Sequence, residues 1–318
     1  MRHIILAATA AVALTTGPGI AQADYPSKPV TIIVPFPAGG AVDIVGRYLS
    51  DKLGNLWGQP VIIQNQPGAG TSIGSAQVAL AEADGYTLLL NSSSFVMNAA
   101  ISPDLPYDLV EDFTPISIVG GVPLVLSAGP SLGATDFAGA IAVSKERPLT
   151  YATAGIGTIN QFASEMLAGE AGLNLIAVHY PGGAAALTDV MGGHADFFYS
   201  SMIQALPHIE AGSLTAIVVS SEERNAALPD TPTVVELGYE GAVMEQWWGM
   251  FGPAGLDEAL VAKLNADLKT VLSTEETIAF FAQTGGEPRH MAAADFSGLV
   301  SASHARLIEI AGEIGISN

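Results

Sequence analysis

Short runs rich in β-branched residues alternate with helix-period segments along most of this sequence, and this alternation constrains the fold more than any other feature. It predicts a strand at Val30–Val34 and then a helix at Ala41–Leu53, where Val45, Leu49 and Leu53 share one face. Further strands are predicted at Val61–Ile63, Thr87–Leu90, Leu124–Leu126, Thr150–Thr153, Ala177–Tyr180 and Thr215–Ser220. Further helices are predicted at Ser72–Ala81, Asp136–Lys145, Ile159–Gly169, Ala184–Met191, Ala259–Leu272, Thr277–Gln283 and Ala293–Ile314. The rhythm favours parallel sheets with helices on both faces.

Two segments are candidates for crossings between two such units, namely Gly120-Gly121 and the Pro-rich stretch Leu228–Gly241. We therefore predict an α/β fold with two doubly wound domains, two crossing segments and a ligand cleft. Domain 1 is expected to comprise residues 24–122 and 241–318, and domain 2 residues 123–240. Open α/β sheets bind ligands at the carboxyl ends of their strands, so the cleft is expected there.

The N-terminus has the layout of a secretory signal peptide. Met1-Arg2-His3 is a short basic start, Ile4–Leu14 is an uncharged apolar run, and Ala21-Gln22-Ala23 is a small-x-small cleavage site. A membrane anchor is the alternative, but the run is too short for about 30 Å of hydrocarbon. We therefore predict that residues 1–23 are removed after export and that the mature protein is periplasmic.

The charge and the cysteine count exclude several classes of partner and site. The predicted mature chain carries 10 basic and 31 acidic residues, a net charge of −21. Such a surface is a poor partner for nucleic acid or for an anionic membrane. The sequence has no cysteine, which excludes disulfides, thiolate metal sites, cysteine nucleophiles and a lipid-modified N-terminal cysteine.

The loop Pro35–Asp43 lies between a predicted strand and a predicted helix. Gly39 and Gly40 allow the backbone to approach a ligand closely, and the free N–H groups at the helix start favour an anion. The loop is neither a phosphate-binding Gly-Lys-Ser/Thr loop nor a GxGxxG fingerprint. An ordinary βα turn is the alternative, and for Asp43 a structural role, capping the helix or pairing with Arg47, competes with ligand contact.

Three more strand-to-helix junctions repeat this arrangement. They are Asn91–Ser94, with three hydroxyl groups, Thr153–Thr158, with Gly155 and Gly157, and His179–Ala184, with Gly182 and Gly183. The hydroxyl groups can donate to a carboxylate or cap a helix. None of the four loops contains lysine or arginine, so recognition of an acid by neutral donors and helix N-termini is expected.

Signals for catalysis and metal binding are weak. The six histidines show no metal-ligand spacing, and there is no Gly-x-Ser-x-Gly elbow. A serine hydrolase using Ser94, His179 and Asp196 is the enzymatic alternative. We predict a protein that is not an enzyme and needs no cofactor or metal.

Beyond these loops, the chain resembles the tripartite tricarboxylate transporter receptors, also known as TctC-like or Bug-type solute-binding proteins. The resemblance runs from Tyr25-Pro26 nearly to the C-terminus. It rests on Pro29–Arg47, Gly58–Asn65, Pro67–Gly70, Asp84–Thr87, Leu105–Asp108, Tyr151–Thr158, Tyr180–Ala186, Leu228–Thr233 and Glu236–Gly238. The resemblance implies a two-lobed, type II-like periplasmic binding protein that closes on a small carboxylate.

Carried over to this sequence, the resemblance and the four junctions nominate a set of ligand-binding residues. They are Phe36, Pro37, Ala38, Gly39, Gly40, Asp43, Ser92, Ser93, Ser94, Thr153, Ala154, Gly155, Thr158, Gln161, Tyr180, Gly182, Gly183 and Ala184. Three positions depart from the family pattern: Val42 replaces a common Thr, Ile156 a common Asn, and Gln161 a common His. These departures are expected to alter ligand choice rather than the fold.

The resemblance also implies the partners. The protein is expected to bind a dicarboxylate, tricarboxylate, amino acid or aromatic acid, and to deliver it to membrane permease subunits of the tripartite tricarboxylate type. A role as a sensor accessory is the alternative that shares the fold. The receptor is expected to act as a monomer.

Overall fold

The computed structural model describes residues 25–316. The predicted signal peptide and its cleavage site at Ala23 lie outside the described residues. The strands are β1 (Val30–Val34), β2 (Val61–Asn65), β3 (Thr87–Ser92), β4 (Phe113–Ala128), β5 (Leu149–Thr153), β6 (Leu175–His179), β7 (Phe197–Ser201), β8 (Thr215–Val219), β9 (Glu245–Pro253) and β10 (Glu287–Pro288). The helices are α1 (Ala41–Trp57), α2 (Ser72–Ala79), α3 (Ser94–Ile101), α4 (Phe137–Glu146), α5 (Ile159–Ala171), α6 (Gly183–Met191), α7 (Met202–Glu210), α8 (Glu258–Leu272), α9 (Glu275–Gln283) and α10 (Ala293–Ile314).

Two sheets share the long strand β4. The first has the order β2-β1-β3-β9-β4-β10, and in it β1 runs parallel to β2 and β3 while β9 runs antiparallel to β3 and β4. The second has the order β8-β4-β7-β5-β6, with β5 parallel to β6 and β7 and with β4 antiparallel to β7 and β8. Both sheets are therefore mixed, not purely parallel as predicted. The antiparallel pairs arise because β4 and β9 carry the chain between the sheets instead of returning through a βαβ crossover.

The first predicted crossing falls inside β4. Its N-terminal part, which includes Gly120-Gly121, pairs with β9 in the first sheet, and its C-terminal part, from Leu124, pairs with β7 in the second. Gly120 has no room for a side chain, since a Cβ there would lie 2.4 Å from the ring of Phe281. The glycine pair thus allows close packing within a continuous strand and does not form a linker.

The second crossing lies later in the chain than the predicted stretch Leu228–Gly241. Thr233 forms a bridge to Val219, and the Met244 N–H donates to the Ser220 carbonyl, so this stretch stays against the second sheet. The chain enters the first sheet at Glu245, opposite Pro123.

The predicted apolar face of α1 packs onto the first sheet. Val45, Leu49 and Leu53 are fully buried beside Val30 and Ile32 of β1. Full burial of such a side chain stabilises a fold by about 1.5–3 kcal/mol. This packing fixes α1 relative to β1 and so positions the loop that joins them.

The strand-to-helix junctions place the candidate site. The strands β1, β3, β5, β6 and β7 each lead directly into the N-terminus of a helix: α1, α3, α5, α6 and α7. Two of these junctions come from the first sheet and three from the second. Between residues 25 and 316, no helix combines the length and hydropathy that crossing a membrane requires.

Candidate ligand-binding site

A cavity of about 770 Å³ lies between loops of the two sheets. The first sheet contributes Pro35 and Phe36 after β1, residues 67–72, Asn98 and residues 102–106. The second sheet contributes Ala154, Gly155, Ile156 and Thr158 after β5, and Tyr180 and Pro181 after β6. Its volume is within the range of about 300–1,000 Å³ that is usual for small-molecule sites.

A much smaller cavity of about 20 Å³ adjoins the large one and shares Phe36 and Ala154 with it. Space of this size accommodates about one water-sized group. Its wall includes residues at the starts of five helices. They are Ala41 and Val42 of α1 with the N-cap Gly40, Ser94 of α3, Asn160 of α5, Gly183 of α6, and Ser201, the N-cap of α7.

Four of these helix starts, those of α1, α5, α6 and α7, are not capped by their own side chains. The N-cap residues Gly40, Thr158, Gly182 and Ser201 make no side-chain capping hydrogen bond. At α5 the Ile159 N–H instead donates to the Ser94 hydroxyl. Uncapped N–H groups carry the positive end of the helix dipole, and each helix N-terminus favours an anion. Because four of them meet at one small cavity, its electrostatics favour a negatively charged group.

Two polar side chains at the small cavity have no hydrogen-bond partner among the described residues. The hydroxyl of Ser201 and the amide oxygen of Gln246 are buried there, with relative exposures of 2% and 6% for their residues. An unsatisfied buried polar group costs about 1–3 kcal/mol. A ligand carboxylate can accept from the Ser201 hydroxyl, and from the Gln246 amide nitrogen after rotation of the amide.

Asp43 holds the first loop in shape and does not line either cavity. Its carboxylate accepts hydrogen bonds from the Gly39 N–H at 2.9 Å, from Arg47 Nε at 2.9 Å and from Asn65 Nδ2 at 2.8 Å. Burial raises the pKa of Asp43, but the hydrogen bonds from Arg47, Gly39 and Asn65 outweigh it and leave the pKa below its usual value. The carboxylate stays ionised at neutral pH, and this anchor weakens only when the pH falls through that lowered pKa.

Several contacts join the two sides of the cleft. The Ser94 hydroxyl accepts a hydrogen bond from the Ile159 N–H at 3.0 Å, and Gln204 Nε2 lies 3.5 Å from the Gly39 carbonyl oxygen. Gly182 sits against the ring of Pro37, so that a Cβ on Gly182 would lie 2.6 Å from Pro37 Cδ. The structure therefore shows the loops in a closed arrangement.

The structure brings eight of the nominated residues to the cavity walls, while the others support the loops. Those in the walls are Phe36, Gly40, Ser94, Ala154, Gly155, Thr158, Tyr180 and Gly183. Pro37 and Gly182 pack on each other, Ala38 and Gly39 are exposed on the first loop, and a Cβ on Gly39 would lie 3.8 Å from the Ala184 Cβ. Asp43, Ser92, Thr153 and Gln161 bond to nearby loop atoms, and Ser93 lies at a separate cavity beside Trp247.

The sequence reasoning missed several wall residues. Asn160, Ser201, Gln204 and Gln246 line the small cavity, and residues 67–72, Asn98 and residues 102–106 supply much of the large one. Ser201 carried a usable signal, because it ends the buried run Phe197–Ser201 immediately before a helix. Gln246 had none, since it reaches the site from β9, far away in the sequence.

The charge distribution fits recognition by neutral donors. Among the described residues that line the two cavities there is no lysine, arginine or histidine, and Asp104 alone carries a charge. Acidic residues elsewhere on the surface have little effect, because physiological salt screens exposed charges beyond roughly 8 Å. Residues 25–316 contain no group of three or more His, Asp or Glu side chains that could hold a metal ion.

The catalytic triad of the serine hydrolase alternative, Ser94, His179 and Asp196, is not assembled in the structure. Asp196 accepts two hydrogen bonds from Arg147, both of 2.7 Å, and others from Thr150. His179 Nδ1 is 2.8 Å from the Thr153 hydroxyl, and the Ser94 hydroxyl accepts from Ile159. Each of these three residues is thus bonded to a different partner, and Ser94, His179 and Asp196 do not form a catalytic relay.

Comparison with known proteins agrees with this geometry. The sequence profile of the tripartite tricarboxylate transporter family receptor matches residues 45–316. BugT of Bordetella pertussis is 36% identical over 268 residues, which cover 83% of this chain and 82% of BugT. A protein from a Pseudomonas strain, encoded between tcbD and tcbE, is 35% identical over 280 residues, covering 86% of this chain and 83% of that protein.

Solved structures show the same fold. Rpa4515 of R. palustris, solved with adipate, superposes with a TM-score of 0.89 at 29% identity, covering 92% of this chain and 99% of that one. The periplasmic binding protein BugD superposes with a TM-score of 0.88 at 30% identity, covering 92% of this chain and 99% of BugD. MatC of Rhodopseudomonas palustris, solved with bound malate, superposes with a TM-score of 0.85 at 28% identity, covering 90% of this chain and 99% of MatC.

These likenesses extend over nearly the whole chain and confirm the predicted fold class and the family resemblance. The relatives are solute-binding receptors and not enzymes, in agreement with the unassembled triad. The chain belongs to the tripartite tricarboxylate transporter receptor family, the TctC-like or Bug-type periplasmic solute-binding proteins.

Proposed function

We propose that this protein is a periplasmic receptor that captures a small carboxylate in the cleft and delivers it to membrane permease subunits of the tripartite tricarboxylate type. The single observation that carries the proposal is the meeting of four uncapped helix N-termini at one small cavity. A carboxylate oxygen of the ligand is placed there, and the rest of the ligand extends into the adjoining 770 Å³ cavity. Adipate in Rpa4515 and malate in MatC support an acid as the ligand.

In this proposal the two sides of the cleft belong to two lobes, which close on the ligand. The receptor acts as a monomer. The lobes are residues 25–122 with 245–316, and residues 123–244, since the chain enters the first sheet at Glu245 and not at the predicted residue 241. Export and cleavage after Ala23 would place the mature receptor where a permease can accept its ligand. A sensor that presents its ligand to a signalling receptor would use the same cleft, and uptake measurements in a strain lacking the permease genes distinguish the two roles.

Binding of an acid should raise the thermal stability of the protein. A ligand present at about 100 times its dissociation constant stabilises the folded state by roughly 2.7 kcal/mol. We expect at least one shift in melting temperature in a panel of acetate, hexanoate, benzoate, adipate, malate and citrate. The absence of a shift across the whole panel would contradict the proposed function.

Ser201→Ala localises any binding that the panel detects. A hydrogen bond to a charged group contributes about 1.5–3 kcal/mol. Loss of this hydroxyl should therefore lower the affinity for the most tightly bound acid of the panel by about tenfold or more. The unfolding free energy should not fall and is expected to rise by up to about 1–3 kcal/mol, because the buried hydroxyl has no hydrogen-bond partner among the described residues. Ser213→Ala, at an exposed turn, is the matched control and should leave affinity unchanged.

A further inference from the structure

The large cavity differs from the small one in having walls that are mostly apolar. Phe36, Pro67, Leu105, Pro106, Ile156 and Pro181 all line it. Ile156 is 39% exposed although it is a large apolar side chain, and it lies on the cavity between Gly155 and Gly157. An apolar ligand body would cover Ile156 and so gain from the removal of apolar surface from water.

The charges in the large cavity are unfavourable for a second acid group. No described residue in its wall is basic, and the exposed carboxylate of Asp104 stands at its edge. A second ligand carboxylate would have to leave water without a cationic partner, and it would share the cavity with a like charge. Two helix starts reach the large cavity, Thr71-Ser72 at α2 and Thr158 at α5, whereas the starts of α1, α6 and α7 lie at the small cavity.

The polar groups that remain in the large cavity are neutral. Asn98 is 2% exposed, and its amide oxygen has no hydrogen-bond partner among the described residues. The hydroxyls of Ser72 and Thr158 already donate to the carbonyls of Ala69 and Gly155. The unpartnered amide oxygen of Asn98 accepts hydrogen bonds, so it matches an uncharged donor, such as a hydroxyl or a ring N–H, on an otherwise apolar ligand body.

From these features we infer that the ligand is a monocarboxylate with a bulky uncharged body, aliphatic or aromatic, and that a second carboxylate is selected against. This inference rests on the proposed function, since it uses the small cavity as the carboxylate site. It sets this chain apart from Rpa4515 and MatC, whose solved ligands, adipate and malate, each carry two carboxylates. Asp104 and Ile156 are the residues that determine this selectivity.

Hexanoate and adipate form a matched pair, because both are six-carbon acids and they differ only in the second carboxylate. Calorimetric titration of the purified protein should give a dissociation constant at least about tenfold lower for hexanoate than for adipate. An acid with a larger apolar body, 4-phenylbutyrate, should bind more tightly than hexanoate.

Two variants test the assigned residues. Asp104→Asn should raise the affinity for adipate relative to that for hexanoate by about threefold to fivefold, as expected from the loss of one like charge near solvent. Ile156→Asn should lower the affinity for 4-phenylbutyrate by about fivefold or more, because the variant loses apolar contact with the ligand body. The affinity for adipate should fall less. Unequal responses of the two acids identify selectivity, whereas a structural defect would weaken all of them together.

The outcomes separate this inference from the proposed function. Adipate or another diacid binding as tightly as hexanoate, or more tightly, would overturn the inference and leave a carboxylate receptor in place. If none of the acids binds, the proposed function fails as well. An Asp104→Asn variant with an unchanged ratio between adipate and hexanoate removes Asp104 from the account.

Discussion

Gly40→Val is expected to abolish carboxylate binding while the protein remains folded. Gly40 lies at the wall of the 20 Å³ cavity and is the N-cap of α1. Its φ of −78° and ψ of 166° are extended, so a valine can adopt the backbone conformation. A Cβ there would meet only the Pro37 carbonyl oxygen, at 3.4 Å, and the two methyl groups beyond it would occupy the space assigned to the carboxylate.

We expect affinity for the best acid to fall by at least about 100-fold, or roughly 2.7 kcal/mol. Valine is a poorer N-cap than glycine, so the unfolding free energy should decrease by only about 1 kcal/mol. Gly40→Ala should show an intermediate loss of affinity. Gly298→Val, on an exposed part of α10 with open space around the new side chain, is the matched control. Wild-type affinity in Gly40→Val would remove the first loop from the site.

Gly182→Ala should weaken binding without weakening the fold, because its clash exists only when the cleft is closed. The new Cβ would lie 2.6 Å from Cδ and 2.8 Å from Cγ of Pro37, and a proline ring cannot rotate away. The backbone of Gly182 is extended, with φ 169°, so alanine introduces no backbone strain. Opening of the cleft relieves the clash, and the population of the closed form falls.

A ligand that binds only the closed form has an apparent affinity reduced by the fraction of protein in that form. We expect a loss on the order of tenfold to 100-fold for Gly182→Ala, with the melting temperature of the unliganded protein nearly unchanged. Gly169→Ala, within α5 and with no atom within 4 Å of its Cβ, is the control and should bind normally. An equal loss of affinity in both variants would show that the Pro37–Gly182 contact plays no part in closure.

The sequence predicted those parts of the fold whose signals are local. The strand β1 and the buried face of α1 follow from periodicity over a few residues, and Gly-rich turns mark the starts of α1, α5 and α6. At the same time, β4 was recognised only in part. Pro115, Pro123 and the Gly120-Gly121 pair interrupt its sequence pattern, yet neighbouring strands hold it extended over 16 residues.

The missing part of the site comes from elements that local patterns conceal. The strand β9 is buried along most of its length and contains two glycines, so it shows no alternation of apolar and polar residues. Pro207 lies inside α7 and signals a helix break to sequence reasoning. As a result Gln246 on β9 was not predicted, and Ser201 was missed although it ends an apolar run before a helix; both bring unpartnered polar atoms to the small cavity.

The central claim is that uncapped helix N-termini hold the carboxylate of the ligand, and a comparison of an acid with its primary amide tests it most directly. The acid that binds most tightly in the panel and the corresponding amide have nearly the same shape, but only the acid carries the negative charge. Calorimetric titration should show the amide binding at least about 100-fold more weakly, because charge-assisted hydrogen bonds are roughly twice as strong as neutral ones. Equal affinity for the acid and the amide would contradict the account.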